Sequence, residues 1–446
     1  DAVEAQLVAG EWSTPQAGDP VSVPGGPPKA WRAATAEEGV LETRTIRGGY
    51  ALSKFHSPVE RVMLLDAAGH AAVYVNGELR TGDPYSLGWL RLPVLVCEGE
   101  NTLLFHVADD RLAARLTAPP GDVFFLDANR TLPTLVPGET EVVWGAIPVV
   151  NATRDWIRDA QIECASGGGE SLTTNVSPIA PLTIVKVPLQ ILPGVDRAGS
   201  TRYQVRLTRF AEETPLAETT CELQIAGAGD VHLRTFRSRI DGSIQPYAVR
   251  PAKRSAPPAA VEQAVDDASL PGAIVTLHGA SIDCEDQAAQ YQAKSWAHVI
   301  APEGRGRYGF DWEDWGRIDC LEAMADGRKR YPSNPRRTYL TGQAMGGHGV
   351  WHLSVTFPDR FAVIGPCGGW ASFWSYGGGM PTFQNPTPLE SLLLRSCSAS
   401  DTVQLLSSLA NAGVYVLHDG ADVTVPVAQA RFMRSRLAGF HTNFAY

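Results

Sequence analysis

The sequence predicts a multidomain protein in which two all-β modules, of sandwich or jelly-roll type, precede one α/β domain with a doubly wound, mostly parallel sheet. Three observations support this prediction. Short runs of alternating apolar and polar residues, separated by turn signals, fill residues 1–230. From residue 231 onward strand-like and helix-like patterns alternate, which is typical of an α/β domain. At 446 residues the chain is also too long for one ordinary domain.

Composition and charge restrict the functions open to the chain. The formal net charge of −10 at pH 7 argues against nucleic-acid binding, which needs basic patches. No run of eighteen or more apolar residues occurs, so no membrane span is predicted. The first residue, Asp1, is not methionine, and we expect a removed leader and a secreted or periplasmic location.

The seven cysteines show no C-x-x-C spacing, so the sequence indicates no zinc site, and no other metal or organic cofactor is implied. Cys164 and Cys221 both lie in strand-like segments. They could form a disulfide or remain as buried thiols, and the sequence leaves both alternatives open.

The first predicted module covers residues 1–120. Its clearest strands are 61–65 and 72–75, and the second of these runs into the hairpin turn Asn76-Gly77. A proline pair at 119–120 marks the boundary. The second predicted module, 121–230, contains strand patterns but no recognisable chemistry.

Residues 338–349 organise the third region, 231–446. They are typical of a short apolar strand, a tight turn bounded by Gly342 and Gly346, and the start of a helix. This is the context of a nucleophile elbow, Gly-x-Ser-x-Gly, whose central residue lies on a strained turn above a sheet. The central residue here is Ala344, which has no hydroxyl. We interpret the turn as built for a serine that is absent, through either an engineered substitution or natural loss.

Three further stretches accompany the elbow: a buried strand and turn at 275–280, Phe-Pro-Asp-Arg-Phe at 357–361, and a strand with an acidic turn at 414–426. Together with the elbow they resemble the α/β-hydrolase superfamily, and within it bacterial serine esterases and peptidases of the prolyl-oligopeptidase-like kind. The resemblance covers residues 231–446. It implies a hydrolase domain that lacks its C-terminal end.

The resemblance also implies a catalytic triad in the chain order Ser, Asp, His. Ala344 then holds the nucleophile position and Asp422 is the acid, with Asp419 as a nearby competitor. The base should follow a short strand that residues 443–446 begin. His441 precedes that strand, so we expect the base in a missing or separate C-terminal segment beyond Tyr446.

The oxyanion donors implied by the resemblance are the amide of Met345 and a backbone amide at Ala280 or Ser281. His278 is expected to be a strand-end residue of the same turn rather than a base. The predicted substrate pocket is lined by the following residues: His278, Gln343, Trp370, Trp374 and Tyr376.

We interpret two further patterns as structural. His348 and His352 lie on the predicted elbow helix, where we expect packing residues rather than metal ligands, because the glutamate of a metalloprotease motif is absent. The acidic, aromatic stretch 311–315 is interpreted as the first turn of the next helix.

The first module carries a second resemblance. Tyr-Val-Asn-Gly at 74–77, Gly-Asp-Pro-Tyr at 82–85 and the strand at 99–105 resemble galactose-binding-like jelly-roll modules. Such modules either bind glycans or pack against a catalytic domain, and we expect the structural role while keeping a glycan at 1–120 open.

The predicted parent activity is hydrolysis of carboxylic esters, on acylated carbohydrate or aryl esters, through an acyl-enzyme. The chain as written is predicted to be inactive because the nucleophile and the base are missing. Two alternatives stay open: a natural pseudoenzyme or carbohydrate-binding protein, with Trp370 and Trp374 as binding surfaces, and a prolyl-oligopeptidase-like peptidase.

Overall fold

The computed structural model describes residues 2–21, 27, 29–253, 269–376 and 383–446, with the backbone alone at Tyr376. A β-rich N-terminal half precedes a C-terminal α/β unit, as the sequence predicts. None of the described helices is long and apolar enough to cross a membrane.

The first part of the chain, here called the N-terminal β region, forms two four-stranded antiparallel sheets, β3-β10-β5-β8 and β4-β9-β6-β7, around one apolar core. Its elements are α1 (Ala2–Ala9), β1 (Pro20–Val21), β2 (Lys29–Ala30), β3 (Val40–Glu42), β4 (Tyr50–Ser57), β5 (Arg61–Ala68), β6 (His70–Val75), β7 (Glu78–Asp83), β8 (Arg91–Val96), β9 (Gly99–Val107) and β10 (Arg111–Thr117). Asn76 and Gly77 join β6 to β7 with φ of 49° and 86°, as a two-residue hairpin requires.

The next part, the middle β region, forms a three-stranded sheet, β11-β12-β15, and a four-stranded sheet, β14-β13-β16-β17. Its strands are β11 (Val123–Phe125), β12 (Val143–Asn151), β13 (Ala160–Ser166), β14 (Ser171–Val176), β15 (Thr183–Ile191), β16 (Gly199–Arg209) and β17 (Ala217–Ile225). Cys164 and Cys221 are buried free thiols. They lie on the two strands that flank β16, and two strand spacings of about 5 Å each exceed the reach of a disulfide.

The α/β unit contains one eight-stranded sheet with the order β18-β19-β21-β20-β22-β23-β24-β25. Its strands are β18 (His232–Arg237), β19 (Ile244–Arg250), β20 (Gly272–Leu277), β21 (Ala297–Pro302), β22 (Thr338–Gln343), β23 (Val363–Cys367), β24 (Gly413–Tyr415) and β25 (Phe444–Ala445). The pairings from β21 through β25 are parallel, whereas β18 and β19 enter antiparallel.

The helices of this unit pack against the sheet or follow its strands. They are α2 (Cys284–Ala289), α3 (Asp314–Arg330), α4 (Met345–Thr356), α5 (Phe373–Tyr376), α6 (Pro388–Ser396) and α7 (Ala428–Leu437), with 3-10 turns at Pro335–Arg337, Cys397–Ser400 and Leu406–Asn411. Helix α4 is almost entirely buried and lies in the largest apolar cluster of the unit. The strand that carries the elbow, β22, therefore lies in the middle of the sheet with its helix at the centre of the core.

Buried polar contacts join the α/β unit to the β-rich half. Arg234 on β18 is 2% exposed and forms an ion pair with Glu139, which also accepts a hydrogen bond of 2.9 Å from Arg330. A buried carboxylate shared by two guanidinium groups costs several kcal/mol when a partner is removed, so this contact favours one arrangement of the two halves.

Candidate active site

Ala344 occupies a strained turn between β22 and α4. Its backbone has φ 53° and ψ −115°, a conformation that costs a non-glycine residue about 1–3 kcal/mol. The neighbouring chain holds this conformation, because the Ala344 amide donates to Cys367 O at 3.0 Å and the Ala344 carbonyl accepts from His348 N at 3.0 Å. A strained residue at the point where a central strand becomes a buried helix is the geometry of a nucleophile elbow.

Three glycines make this turn sterically possible. A Cβ on Gly346 would lie 2.1 Å from Leu277 O, one on Gly347 would lie 2.4 Å from Cys367 O, and one on Gly342 would lie 2.6 Å from Gly346 O. All three contacts are with backbone atoms, which cannot rotate away. The first turn of α4 is therefore pressed between β20 and β23.

The turn after β20 lies directly against the elbow. A Cβ built on Gly279 would lie 3.6 Å from Ala344 Cβ and 3.3 Å from Gln343 O. Ala280, the next residue, is exposed, and Met345 is the first residue of α4, where backbone amides have no helical partner. The amides of Ala280 and Met345 are thus candidates to hold an oxyanion above position 344.

Ser281 does not fill the oxyanion role predicted for it. Its amide donates to Arg307 O at 3.2 Å, and its hydroxyl donates to Ala280 O at 2.6 Å. Because the amide is already bonded to another loop, Ala280 is the better candidate. The contact with Arg307 instead joins the turn at 278–281, called the oxyanion turn below, to the loop that follows β21.

His278 does not line a pocket, contrary to the prediction. Its side chain is fully buried, and its ring nitrogens lie 2.9 Å from Gly279 O and 2.9 Å from Glu303 O. The ring also packs edge-on against Trp312, whose indole N–H donates to His278 O. The residue therefore holds the oxyanion turn in place, as expected for a strand-end histidine.

Asp422 lies beside the end of β23. Its carboxylate accepts hydrogen bonds from the amides of Val425 at 2.8 Å and Thr424 at 2.9 Å, and these bonds lower the pKa of Asp422. A Cβ on Gly368 would lie 3.7 Å from Asp422 Oδ2. Asp419 instead caps its own turn by accepting from Ala421 N. The geometry therefore favours Asp422 over Asp419 as the acid.

His418 is a neighbour of Asp422 that the sequence interpretation did not consider. Its Nε2 lies 3.7 Å from Asp422 Oδ2, but the same nitrogen is 2.7 Å from Val425 O, and the side chain is only 1% exposed. His441 is buried as well, with Nε2 2.8 Å from Leu409 O and 2.9 Å from Ala412 O. In both residues the buried Nε2 atom lies within hydrogen-bond distance of a main-chain carbonyl. Neither ring is therefore placed to act as a base for position 344.

Two of the three predicted aromatic pocket residues are placed, and Trp370 is not a binding surface. Trp370 is 6% exposed and its ring stacks on His348, with centroids 5.1 Å apart. Trp374 is partly buried and donates its indole N–H to Cys397 O at 3.2 Å. The side chain of Tyr376 lies outside the described residues. Gln343 is exposed beside the elbow, where it remains a candidate pocket residue.

A buried polar cluster behind the elbow was missed by the sequence interpretation. Glu313 Oε1 accepts from His348 Nε2 at 2.9 Å, and Glu313 Oε2 lies 3.1 Å from His352 Nε2 and accepts from Ser400 Oγ at 2.9 Å. Both imidazoles are fully buried, and burial lowers the pKa of His352 to about 4. Asp314 and Trp315 open α3 as the interpretation of 311–315 expects, but Glu313 is its N-cap and the residues at 311 and 312 precede the helix.

The carboxylate of Glu313 forms a hydrogen bond with His348, and it lies 3.1 Å from the Nε2 atom of His352. Among the described residues no group of three or more His, Cys, Asp or Glu side chains could hold a metal ion. The i, i+4 spacing of the two histidines was the only sequence signal for this cluster, since Glu313 approaches from another element.

Two cavities of about 340 Å³ and 280 Å³ lie elsewhere on the α/β unit. They are lined by Ala252, Ser269, Leu270, Pro271, Ser295, Trp296 and Arg337, and by Arg250, Lys253 and residues 289–293. Neither includes a residue of the elbow or the oxyanion turn.

No protein-family model and no curated protein matches the sequence. Solved structures similar to it include a thermostable esterase (15% identity, TM-score 0.36, 70% of this chain and 89% of that one). An S-formylglutathione hydrolase from Agrobacterium tumefaciens has 14% identity and a TM-score of 0.37 over 49% of this chain and 86% of that one. Prolyl oligopeptidase B from Galerina marginata has 15% identity and a TM-score of 0.33, over 74% of this chain and 48% of that one.

The fold of the C-terminal unit follows from its own sheet order and turns. A mostly parallel central sheet, a strained strand-to-helix turn and an oxyanion turn packed against it define the C-terminal unit. It has an α/β-hydrolase fold.

Proposed function

We propose that the chain is a serine-hydrolase scaffold for carboxylic esters and is inactive as written. One observation carries the proposal: a non-glycine residue is held at φ 53° between a central strand and a buried helix, with the oxyanion turn in contact. A structural turn could relieve this strain with glycine at position 344. Retention of a side chain there is what a catalytic nucleophile needs.

In the parent reaction a serine hydroxyl at position 344 would attack the ester carbonyl. The serine Oγ–carbon bond forms as the hydroxyl proton passes to a base, the ester C–O bond breaks as the base returns this proton to the departing alcohol, and water then releases the acyl group. The amides of Met345 and Ala280 would hold the negative oxygen of the intermediate, and Asp422 would orient the base and stabilise its positive charge. Ala344 cannot begin this sequence because it has no nucleophile.

The base is proposed to come from a separate C-terminal segment. The two-residue strand β25 forms the edge of the sheet, and Tyr415, Leu417 and Tyr446 are 55%, 53% and 47% exposed near it. A segment that covered these side chains could place a histidine beside Asp422. Asp422 is half-buried, and the residues on both sides of it, Ala421 and Val423, are exposed, so the turn is open to such a segment.

Ester hydrolysis is preferred over peptide hydrolysis because the loop beside the oxyanion turn is aromatic. Tyr308 and Phe310 belong to this loop and Trp315 lies on the helix that follows it, with the last two exposed by 43% and 40%. Flat apolar surfaces next to a nucleophile suit small ring-bearing esters. Acylated carbohydrates and aryl esters are the proposed substrate classes.

The test is chemical rescue of the variant Ala344→Ser. The variant is incubated with 4-nitrophenyl acetate, with and without added imidazole, and acetylation of residue 344 is measured by mass spectrometry. Imidazole takes the proton of the introduced hydroxyl, the hydroxyl oxygen forms the ester and 4-nitrophenolate leaves. We expect acetylation of residue 344 to be about 100-fold faster than that of a control serine, since oxyanion donors contribute about that factor.

The matched control is Ala421→Ser. It places the same new hydroxyl in the exposed turn at 419–424 that carries Asp422, called the acid turn below, away from the oxyanion amides. Equal acetylation rates at the two positions would show that the elbow is not a catalytic scaffold. Turnover by the unaltered chain well above the imidazole background would instead refute the proposed inactivity.

A further inference from the structure

The N-terminal β region reaches the active-site side of the α/β unit through Tyr85. The rings of Tyr85 and Tyr308 are stacked, with centroids 3.9 Å apart and planes 10° from parallel. Although it is stacked, Tyr85 is still 54% exposed. One face of the ring is thus covered by Tyr308 and the other part of its surface is open to solvent.

The loop that carries Tyr85 is held by its own hydrogen bonds. Asp83 is 4% exposed, and its carboxylate accepts from Leu87 N at 2.9 Å and Gly88 N at 2.7 Å. The amide of Ser86 also donates to Asp83 O at 3.3 Å. Because these bonds close the turn around Tyr85, the ring is presented from a defined loop rather than from a free one.

Tyr308 belongs to the loop that contacts the oxyanion turn. The preceding residue, Arg307, accepts the amide hydrogen bond of Ser281 and forms a 2.8 Å ion pair with Asp283. Gly304, at the start of this loop, donates to the buried carboxylate of Asp319 at 3.0 Å. The Tyr85–Tyr308 stack is therefore attached within a few residues of the amides that face position 344.

The same loop presents further aromatic surface. The rings of Phe310 and Trp315 lie 5.7 Å apart, and Arg305 lies over the Trp315 ring at 5.2 Å. Both rings are more than a third exposed. Burial of these two rings would stabilise the protein, yet both stay exposed to solvent. Exposed aromatic side chains grouped in this way favour contact with a ligand.

We propose that Tyr85 of the N-terminal β region is a substrate-binding residue, which with Tyr308 holds a flat ring of the ester beside the oxyanion turn. This inference rests on the proposed ester-hydrolase function. It makes the N-terminal β region part of the substrate site rather than a separate module. The ring can be aromatic or a pyranose, because both stack on tyrosine.

Binding can be measured on the chain as it exists, since Ala344 prevents turnover. Dissociation constants for phenyl acetate, the acyclic hexyl acetate and a methyl 6-O-acetylglucopyranoside are determined by saturation-transfer NMR. We expect Tyr85→Ala to weaken binding of the preferred ring-bearing ester by about fivefold, the usual contribution of one aromatic stack, and binding of the acyclic hexyl acetate by less than about twofold. Tyr85→Phe should bind like the unaltered chain.

The matched control is Trp156→Ala, which removes an exposed aromatic side chain of the middle β region, 48% exposed, outside the proposed site. The better-bound ligand of the phenyl and glucosyl esters identifies the ring as aryl or sugar. Unchanged binding by Tyr85→Ala, or an equal loss of affinity in Trp156→Ala, would overturn the role of Tyr85 and leave the proposed function standing. If the unaltered chain binds none of the three esters, the proposed function fails with it.

Discussion

The elbow and the acid turn, which together form the candidate active site, differ in what holds them. At the elbow, three glycines contact backbone from β20, β23 and the elbow itself, so strands distant in sequence enforce the strain at Ala344. At the acid turn, the carboxylate of Asp422 accepts hydrogen bonds from amides two and three residues ahead and lies 3.7 Å from His418, four residues before it. Tertiary packing therefore maintains the backbone strain at the nucleophile position, whereas the acid position is a local, exposed turn that can accept a further segment.

The largest difference should appear when a methyl group is added to one glycine of the elbow and to one glycine of the acid turn. Gly346→Ala places a Cβ 2.1 Å from Leu277 O, and we expect a loss of about 3 kcal/mol or more in the free energy of unfolding. Gly420→Ala meets no atom within 4 Å, and its effect should stay within about 1 kcal/mol. Denaturant unfolding of both variants measures this, and equal losses would contradict the packing argument.

The stability contributed by His352, behind the elbow, and by Asp422, in the acid turn, should also be lost at different pH. Burial lowers the pKa of His352 to about 4 from an unfolded value near 6.5, so the unfolded chain takes up this proton first. Stability from the neutral ring is complete above about pH 6.5 and is lost as pH falls toward 4. His352→Gln should remove about 2 kcal/mol of the loss between pH 6.5 and 4.5.

Asp422 should act at lower pH, because hydrogen bonds lower its pKa. Its contribution is present above the unfolded pKa of an aspartate and is lost as pH falls through the lower folded value. Asp422→Asn should therefore be less stable than the unaltered chain at pH 5, and the difference should shrink as pH falls below about 4 and the carboxylate of the unaltered chain takes up its proton. If the His352→Gln variant loses as much stability as the unaltered chain between pH 6.5 and 4.5, this loss does not come from the buried His352 ring behind the elbow.

The smallest expected effect tests the strain itself. Ala344→Gly should raise the free energy of unfolding by about 1 kcal/mol, because glycine adopts positive φ without a Cβ clash. Ala421 has no positive φ, so Ala421→Gly should instead destabilise the protein slightly. Calorimetric unfolding compares the pair, and destabilisation by both substitutions would mean that Ala344 is not strained.

Much of the elbow could be predicted because its signals are local. The Gly-x-Ala-x-Gly spacing, an apolar strand before it and a helix after it lie within about twenty residues, and the structure shows the turn at Ala344. The burial of Trp370 could not be predicted in this way. Its ring stacks on His348, and which side of the sheet an aromatic residue faces depends on how the next strand packs.

Local patterns in the sequence were enough to predict the β-rich half, the α/β half and the turn that carries Ala344, because periodicity, glycine spacing and turn residues act over short distances. Tertiary structure alone decided that Glu313 meets His348 and His352, that Arg307 occupies the amide of Ser281, and that Tyr85 stacks on Tyr308. These contacts join residues on separate elements. Their energies depend on distances set by packing, and no local pattern in the chain encodes those distances.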